Sequence, residues 1–119
     1  MSTFDGNYVI LTASIVDVST AGTVYIAIPD NCAGDVMQVS TALTGPISGA
    51  DADITPKING TAMTNGLITI AQSGSAAGDV DTSRPTGART VAEGDAIEIE
   101  TDGASTGTST VTVTIAIKR

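Results

Sequence analysis

The stretch Thr108–Lys118, TSTVTVTIAIK, alternates without a break. Val111, Val113, Ile115 and Ile117 share one parity; Thr110, Thr112, Thr114 and Ala116 share the other. Successive side chains on a strand point to opposite faces, so a period of two with one apolar face predicts a half-buried β-strand. Asp95–Gly103, DAIEIETDG, repeats the pattern: Ile97 and Ile99 point one way, Glu98 and Glu100 the other. These six residues (Ile97, Ile99, Val111, Val113, Ile115 and Ile117) are the predicted centre of the core.

Outward from this pair, other runs follow the same period. Thr23–Asp30, TVYIAIPD, places Val24, Ile26 and Ile28 together and closes with Pro29. Tyr8–Val18, YVILTASIVDV, reads as a longer first strand, apolar on both sides near its start. DVMQVSTAL (35–43), DITPKI (53–58) and LITIAQ (67–72) complete the set. Gly, Pro, Asn, Asp and Ser cluster between the runs. Asn59-Gly60 and Asn65-Gly66 are strong turn signals because both residue types tolerate positive φ. No segment sustains the i, i+3, i+4, i+7 spacing of an amphipathic helix over three turns. About seven or eight short strands between turn clusters predict an all-β fold, an antiparallel β-sandwich. The weakest strand signal lies in QSGSAAGDVDTSRPTGA (72–88), which reads as a long surface loop. Residues 1–7 are expected to form an N-terminal arm, and residues 8–119 a single β-sandwich domain.

The core must be built from small branched residues. Among 119 residues there is no Trp, one Phe and two Tyr, while Gly numbers 13. At 11.8 kDa the folded chain should expose about 5,900 Å². Each Gly adds to the entropy lost on folding, so association with a partner would add stability that the monomer lacks. Tyr8 and Tyr25 are expected to pack rather than to form a sugar-stacking platform.

Charge excludes several partners. Five basic residues face thirteen acidic ones, a net charge of -8. Nucleic acid and anionic membranes both need a basic surface, so neither is expected as a partner. MSTFDGNYVILTASIVDVST has no basic residue before its apolar run, and Asp17 ends that run early. It reads as neither a signal peptide nor a membrane span. With no His in the chain, the commonest general base and the nitrogen ligand of zinc are missing. No phosphate-binding Gly-Lys-Ser/Thr loop occurs. Cys32 stands alone and reads as an inert thiol. The expectation is therefore a protein without enzymatic activity, catalytic residues or cofactor.

The densest acidic segment is Val91–Thr106, VAEGDAIEIETDGAST, with Glu93, Asp95, Glu98, Glu100 and Asp102. Its parity reads as a solvated strand bracketed by turns. The sharper alternative is calcium, which takes clustered carboxylate and carbonyl oxygens. Asp51 and Asp53, or Asp79 and Asp81, could add ligands at i, i+2 spacing. No segment matches an EF-hand loop.

Five segments, taken in order, carry a resemblance: VYIAIPDNCAGDVMQVSTAL (24–43), GADADITPKINGTAM (49–63), LITIAQSGSAAGDV (67–80), VAEGDAIEIETDGAST (91–106) and STVTVTIAIKR (109–119). Over roughly residues 20–119 this succession resembles the small head decoration, or cement, proteins of tailed bacteriophages. The resemblance implies a jelly-roll-like sandwich that sits on the capsid exterior of the virion after synthesis in the host bacterial cytoplasm. It implies a homotrimer with the major capsid protein as partner, and no catalytic residues. The competing expectation from composition is a soluble β-sandwich binding module for glycan or calcium.

Overall fold

The computed structural model describes residues 7–119. Its elements are ten strands: β1 (Tyr8–Ile15), β2 (Gly22–Ala27), β3 (Gly34–Leu43), β4 (Ala52–Ile58), β5 (Thr61–Ala62), β6 (Ile68–Ile70), β7 (Val80–Ser83), β8 (Thr90–Val91), β9 (Ala96–Thr101) and β10 (Val111–Lys118). No helix occurs among the described residues. Of the expected arm at 1–7, only Asn7 lies within them; its carbonyl accepts the Arg119 N–H at 2.7 Å.

Two antiparallel sheets face each other. One runs β1-β10-β3-β7, with β8 also on β3; the other runs β2-β9-β4-β5, with β6 also on β4. The pairings are nested. β1 pairs with β10, β2 with β9, β3 with β7 and β8, and β4 with β5 and β6. The chain therefore runs as one long hairpin that alternates between the sheets, the arrangement of a jelly roll. All seven sequence-predicted runs are strands. The three further ones, β5, β7 and β8, are two to four residues long. β5 and β6 share one partner strand, as do β7 and β8, so the ten strands fill eight jelly-roll positions.

Pro56 explains one of these divisions. Its carbonyl accepts from Met63 N at 3.0 Å. In a strand the N and O of one residue point the same way, so the missing Pro56 N–H also faces the β5–β6 side. There the ladder is broken: β6 pairs with Ala52–Ile54 and β5 with Lys57 and Ile58, leaving Thr55 and Pro56 between them. A proline inside a central strand survives because its deficient side meets a gap.

The core lies between the sheets. Ile97, Ile99, Val111, Val113, Ile115 and Ile117 are all fully buried, as the parity predicted, and Ile54, Ile70, Val36 and Val39 join them. Ala116, on the opposite parity, is buried too. It sits on a strand flanked on both sides, opposite Ile10 and Gln38, and neighbours of that size cover a single methyl group. The accessible surface is 5805 Å², close to the area expected for a compact chain of this mass.

Turn chemistry sets the ends of the strands. Asn59 (φ 51°) and Gly60 (φ 82°) form the two-residue link between paired Ile58 and Thr61, and both positive angles identify a type I′ turn. Asn65 is also left-handed at φ 59°, but Gly66 is not. Gly66 is required by space instead, since a Cβ there would lie 3.0 Å from both Met63 Cβ and Pro56 Cγ. The first strand is shorter than its apolar run suggests. After Ile15 the Asp17 carboxylate accepts from the Ser19 and Thr20 hydroxyls and the Ser19 N–H, which turns the chain and swings Val18 into the core.

The expected long loop at 72–88 contains β7. Its backbone pairs with β3 from Val39↔Ser83 to Ala42↔Val80. Only Ser83 of the four is buried, so there was no apolar alternation to reveal it. Asp81, on this edge, has its carboxyl pKa raised from its ordinary value, first by partial burial and second by the Asp79 charge. A carboxyl whose folded-state pKa is raised opposes folding once ionised, and the penalty disappears as pH falls below its ordinary value. Asp81→Asn should therefore raise the urea midpoint at pH 7 and leave it nearly unchanged at pH 3. A lowered midpoint at pH 7 would contradict this. Asp17 works in the opposite sense. The hydrogen bonds from Ser19 and Thr20 lower its pKa, so its contribution is present at neutral pH and is lost as pH falls through that lowered value.

Candidate interaction surface

The five carboxylates of residues 91–106 do not converge; each answers a different local need. Glu93 Oε2 accepts the Asn31 N–H at 2.6 Å. Asp95 Oδ2 accepts Ala92 N–H at 2.9 Å and closes the turn before β9. Glu98 Oε2 accepts Gly60 N–H at 2.7 Å and so holds the β4–β5 turn. Glu100 pairs with Lys57 across the ladder at 3.2 Å, an exposed contact of the kind that stabilises by about 0–1 kcal/mol. Asp102 Oδ1 accepts from Ala104 N at 3.1 Å and from Asp53 N at 3.3 Å.

The other acidic pairs behave alike. Asp51 accepts Gln72 N–H, Asp53 accepts the Thr69 hydroxyl, and Asp79 accepts Ala76 N–H. Asp53 and Asp102 are the pair that the fold brings together. Among the described residues, no three Cys, Asp or Glu side chains come within reach of one ion. The solvated-strand reading of this segment thus acquires a cause: its acids fasten turns and hairpins.

Clefts among the described residues include two of note. One, of about 470 Å³, lies beside the β4–β5 turn and the 86–90 segment, lined by Asp35, Ile58, Thr61 and Thr86–Thr90. The Arg89 guanidinium beside it donates to the Pro85 carbonyl at 2.8 Å. The other, of about 310 Å³, lies where β1 leads into β2, lined by residues 14–17, 20–24 and Thr101. Cys32 is half-buried against the core.

The most distinctive surface is the side of the sandwich closed by β1 and β2. Each strand ends its sheet and, among the described residues, pairs on one flank only. Their inward residues Val9, Leu11, Val24 and Ile26 touch the core but remain partly exposed. Outward, Ile10 is 48% exposed and Tyr25 68%; Val16, between the strands, is 77% exposed. The expected packing role of Tyr25 is thereby corrected. Its parity places it opposite the inward-facing Val24 and Ile26, and among the described residues no layer lies beyond β2 to cover it. Tyr8 is half-buried.

The two strands themselves lack charge, although Thr23 and Tyr25 of β2 stand opposite Glu100 and Glu98 of β9. From Asn7 to Pro29, Asp17 is the only ionisable acid or base apart from the two tyrosines. Natural sandwiches blunt their edges with short strands, charges or proline. The opposite edge follows that rule, with β5, β7 and β8 of two to four residues and Asp81 on β7. β1 and β2 do not: they are eight and six residues long, without charge or proline. The sequence reading placed these strands but not this surface. The available signal was the uncharged run itself, in a chain of net charge -8. A scan against protein-family models and a search of curated proteins both find no match to this chain.

Proposed function

We propose that this protein is a non-enzymatic structural subunit that decorates and stabilises the outer surface of a tailed-phage head, working as a homotrimer on the major capsid protein. The observation that carries the reading is the unprotected β1–β2 side, two long uncharged edge strands with exposed apolar residues on a strongly acidic chain. Such a side suits permanent protein contact, because left bare it invites uncontrolled pairing. The nested jelly roll and the order of the five resembling segments point the same way. A cement protein acts through many modest contacts multiplied by symmetry, and a rigid sandwich with a sticky flank provides them.

Its acidity shapes the attachment. Copies that each carry -8 repel one another over a surface, so either basic patches on the shell or close apolar packing must offset the repulsion. Purified protein should co-sediment with purified heads lacking their decoration protein. Attachment that weakens steeply with added salt would assign it to basic patches, and salt-independent attachment to apolar packing. Failure to co-sediment would remove the decoration reading and leave a soluble glycan- or calcium-binding module in its place.

A further inference from the structure

We infer that the larger cleft, between the β4–β5 turn and residues 86–90, is a binding site for a carboxylate carried on a peptide, with Arg89 as its anchoring cation. The inference goes beyond the capsid reading and does not depend on it.

The first observation is an unanswered charge. The chain holds thirteen acidic residues, yet none of them pairs with Arg89. Among the described residues the one ion pair is Lys57 with Glu100. Arg89 is half-buried, and its Nη1 donates to the Pro85 carbonyl at 2.8 Å; the other donors of the fork have no acceptor among the described residues. A partly desolvated guanidinium is costly unless it meets an anion. Its planar fork is shaped to hold a carboxylate through two parallel N–H bonds.

The second observation is the backbone beside it. Gly87, Ala88 and Arg89 all line the cleft. Among the described residues, no acceptor receives the N–H of any of the three. Backbone donors without a protein partner are answered by solvent or by a ligand. Ala88 is left-handed at φ 48°, whereas the other non-glycine residues with positive φ, Asn31, Asn59 and Asn65, are asparagines. Its Cβ disfavours that conformation, and residues held in this way gather at ligand clamps.

Size and surroundings choose the ligand. The volume of about 470 Å³ falls within the roughly 300–1,000 Å³ of small-ligand sites. No aromatic side chain lines the cleft to stack on a sugar ring. A chain of net charge -8 repels a polyanion at long range, whereas one carboxylate within a Debye length of about 8 Å responds chiefly to the nearest cation. Asp35, also on the wall, is engaged by the Thr90 hydroxyl at 2.7 Å and stands opposite Lys118 in the ladder. A peptide supplies carbonyl groups for the unanswered N–H groups as well as a carboxylate for Arg89. A small acid anion supplies only the second.

The test is an NMR titration of isotope-labelled protein, read at the amides of Thr61 and residues 86–90. The probes are acetyl-triglycine with a free C-terminus, acetyl-Gly-Glu-Gly-amide, acetyl-triglycine amide, sodium acetate and an oligogalacturonate. Saturable shifts confined to the cleft are expected from a carboxylate peptide and not from the triglycine amide. Which of the two carboxylate peptides binds more tightly tells whether the site takes a chain terminus or an acidic side chain. Arg89→Gln should weaken binding about tenfold or more, the scale of a charge-assisted pair. Arg89→Lys keeps the charge without the fork and should fall between; it carries the comparison if Arg89→Gln loses the folded spectrum. Arg84→Gln, at an exposed cation outside the cleft lining, should behave as wild type. Absence of saturable shifts with both carboxylate peptides overturns the inference, as do equal shifts from the triglycine amide or indifference to the Arg89 variants. Acetate binding as tightly as the peptides reduces the cleft to an adventitious ion only, and tighter binding of oligogalacturonate assigns it to an acidic sugar; either result overturns the peptide site. Head co-sedimentation judges the capsid reading separately.

Discussion

Ile99→Ala is expected to destabilise the protein by about 2–5 kcal/mol. Ile99 has no accessible surface. It sits mid-strand on β9 between Val24 of β2 and Pro56 of β4, inside the cluster that includes Val111, Val113 and Ile115. Truncation removes buried methyl groups and leaves a void that strands held on both flanks cannot collapse to fill. Since a domain of this size is stable by only about 5–15 kcal/mol, the change consumes a large share of the margin. The next residue provides the contrast. Glu100→Ala loses only the exposed contact to Lys57 and should cost no more than about 1 kcal/mol. Urea titration checks both, with the slope watched for a change in the surface exposed on unfolding. A loss below about 1 kcal/mol for Ile99→Ala would contradict a core at this position.

The second large effect is expected at a glycine. Gly34 opens β3 with an ordinary negative φ, so backbone freedom is not the reason for it. A Cβ there would run into the Lys118 carbonyl oxygen, with Lys118 C at 2.8 Å and Arg119 Cα at 3.0 Å. All three are backbone atoms and cannot rotate aside. The irregularity in the β3–β10 register, between Ala116 and Ile117, lies immediately before this contact. Gly34→Ala must push the end of β10 away from β3, at a cost of about 1–3 kcal/mol or more, and should accelerate amide exchange at Ile117 and Lys118. Gly22→Ala is the matched control. It has nothing within 4 Å of its Cβ, and at such a site alanine is expected to be neutral or to stabilise by about 0.4–1 kcal/mol through the unfolded chain. Equal losses at the two glycines would refute the steric account.

The interior was legible in the sequence wherever burial imposed alternation. Ile97, Ile99 and the four branched residues of β10 announced themselves because one face is dry and the other is not, and a one-residue slip would expose all of them. The type I′ turn at Asn59-Gly60 was equally legible, since its dihedrals demand those residue types. Strand β7 was not. Val80–Ser83 holds its place by backbone bonds to β3, and backbone bonds leave no mark in side-chain pattern. Gly66 and Gly34 looked like ordinary loop glycines, although each is fixed by atoms distant in sequence or across a turn.

The sequence by itself determined the all-β class, the places of seven strands, the core parity of β2, β9 and β10 and the acidity of the chain, because these depend on neighbours one or two residues apart. Only the tertiary structure decided which strands end the sheets. Nesting places β1 and β2 together on one flank as the two long edge strands, and leaves Ile10, Val16 and Tyr25, unremarkable as letters, exposed. It also decided that Glu93, Asp95, Glu98 and Asp102 each accept from a different backbone N–H and fasten separate turns. Parity fixes which face a side chain takes, but edges and clusters arise from pairings between residues far apart in the chain, and only the closed fold specifies those.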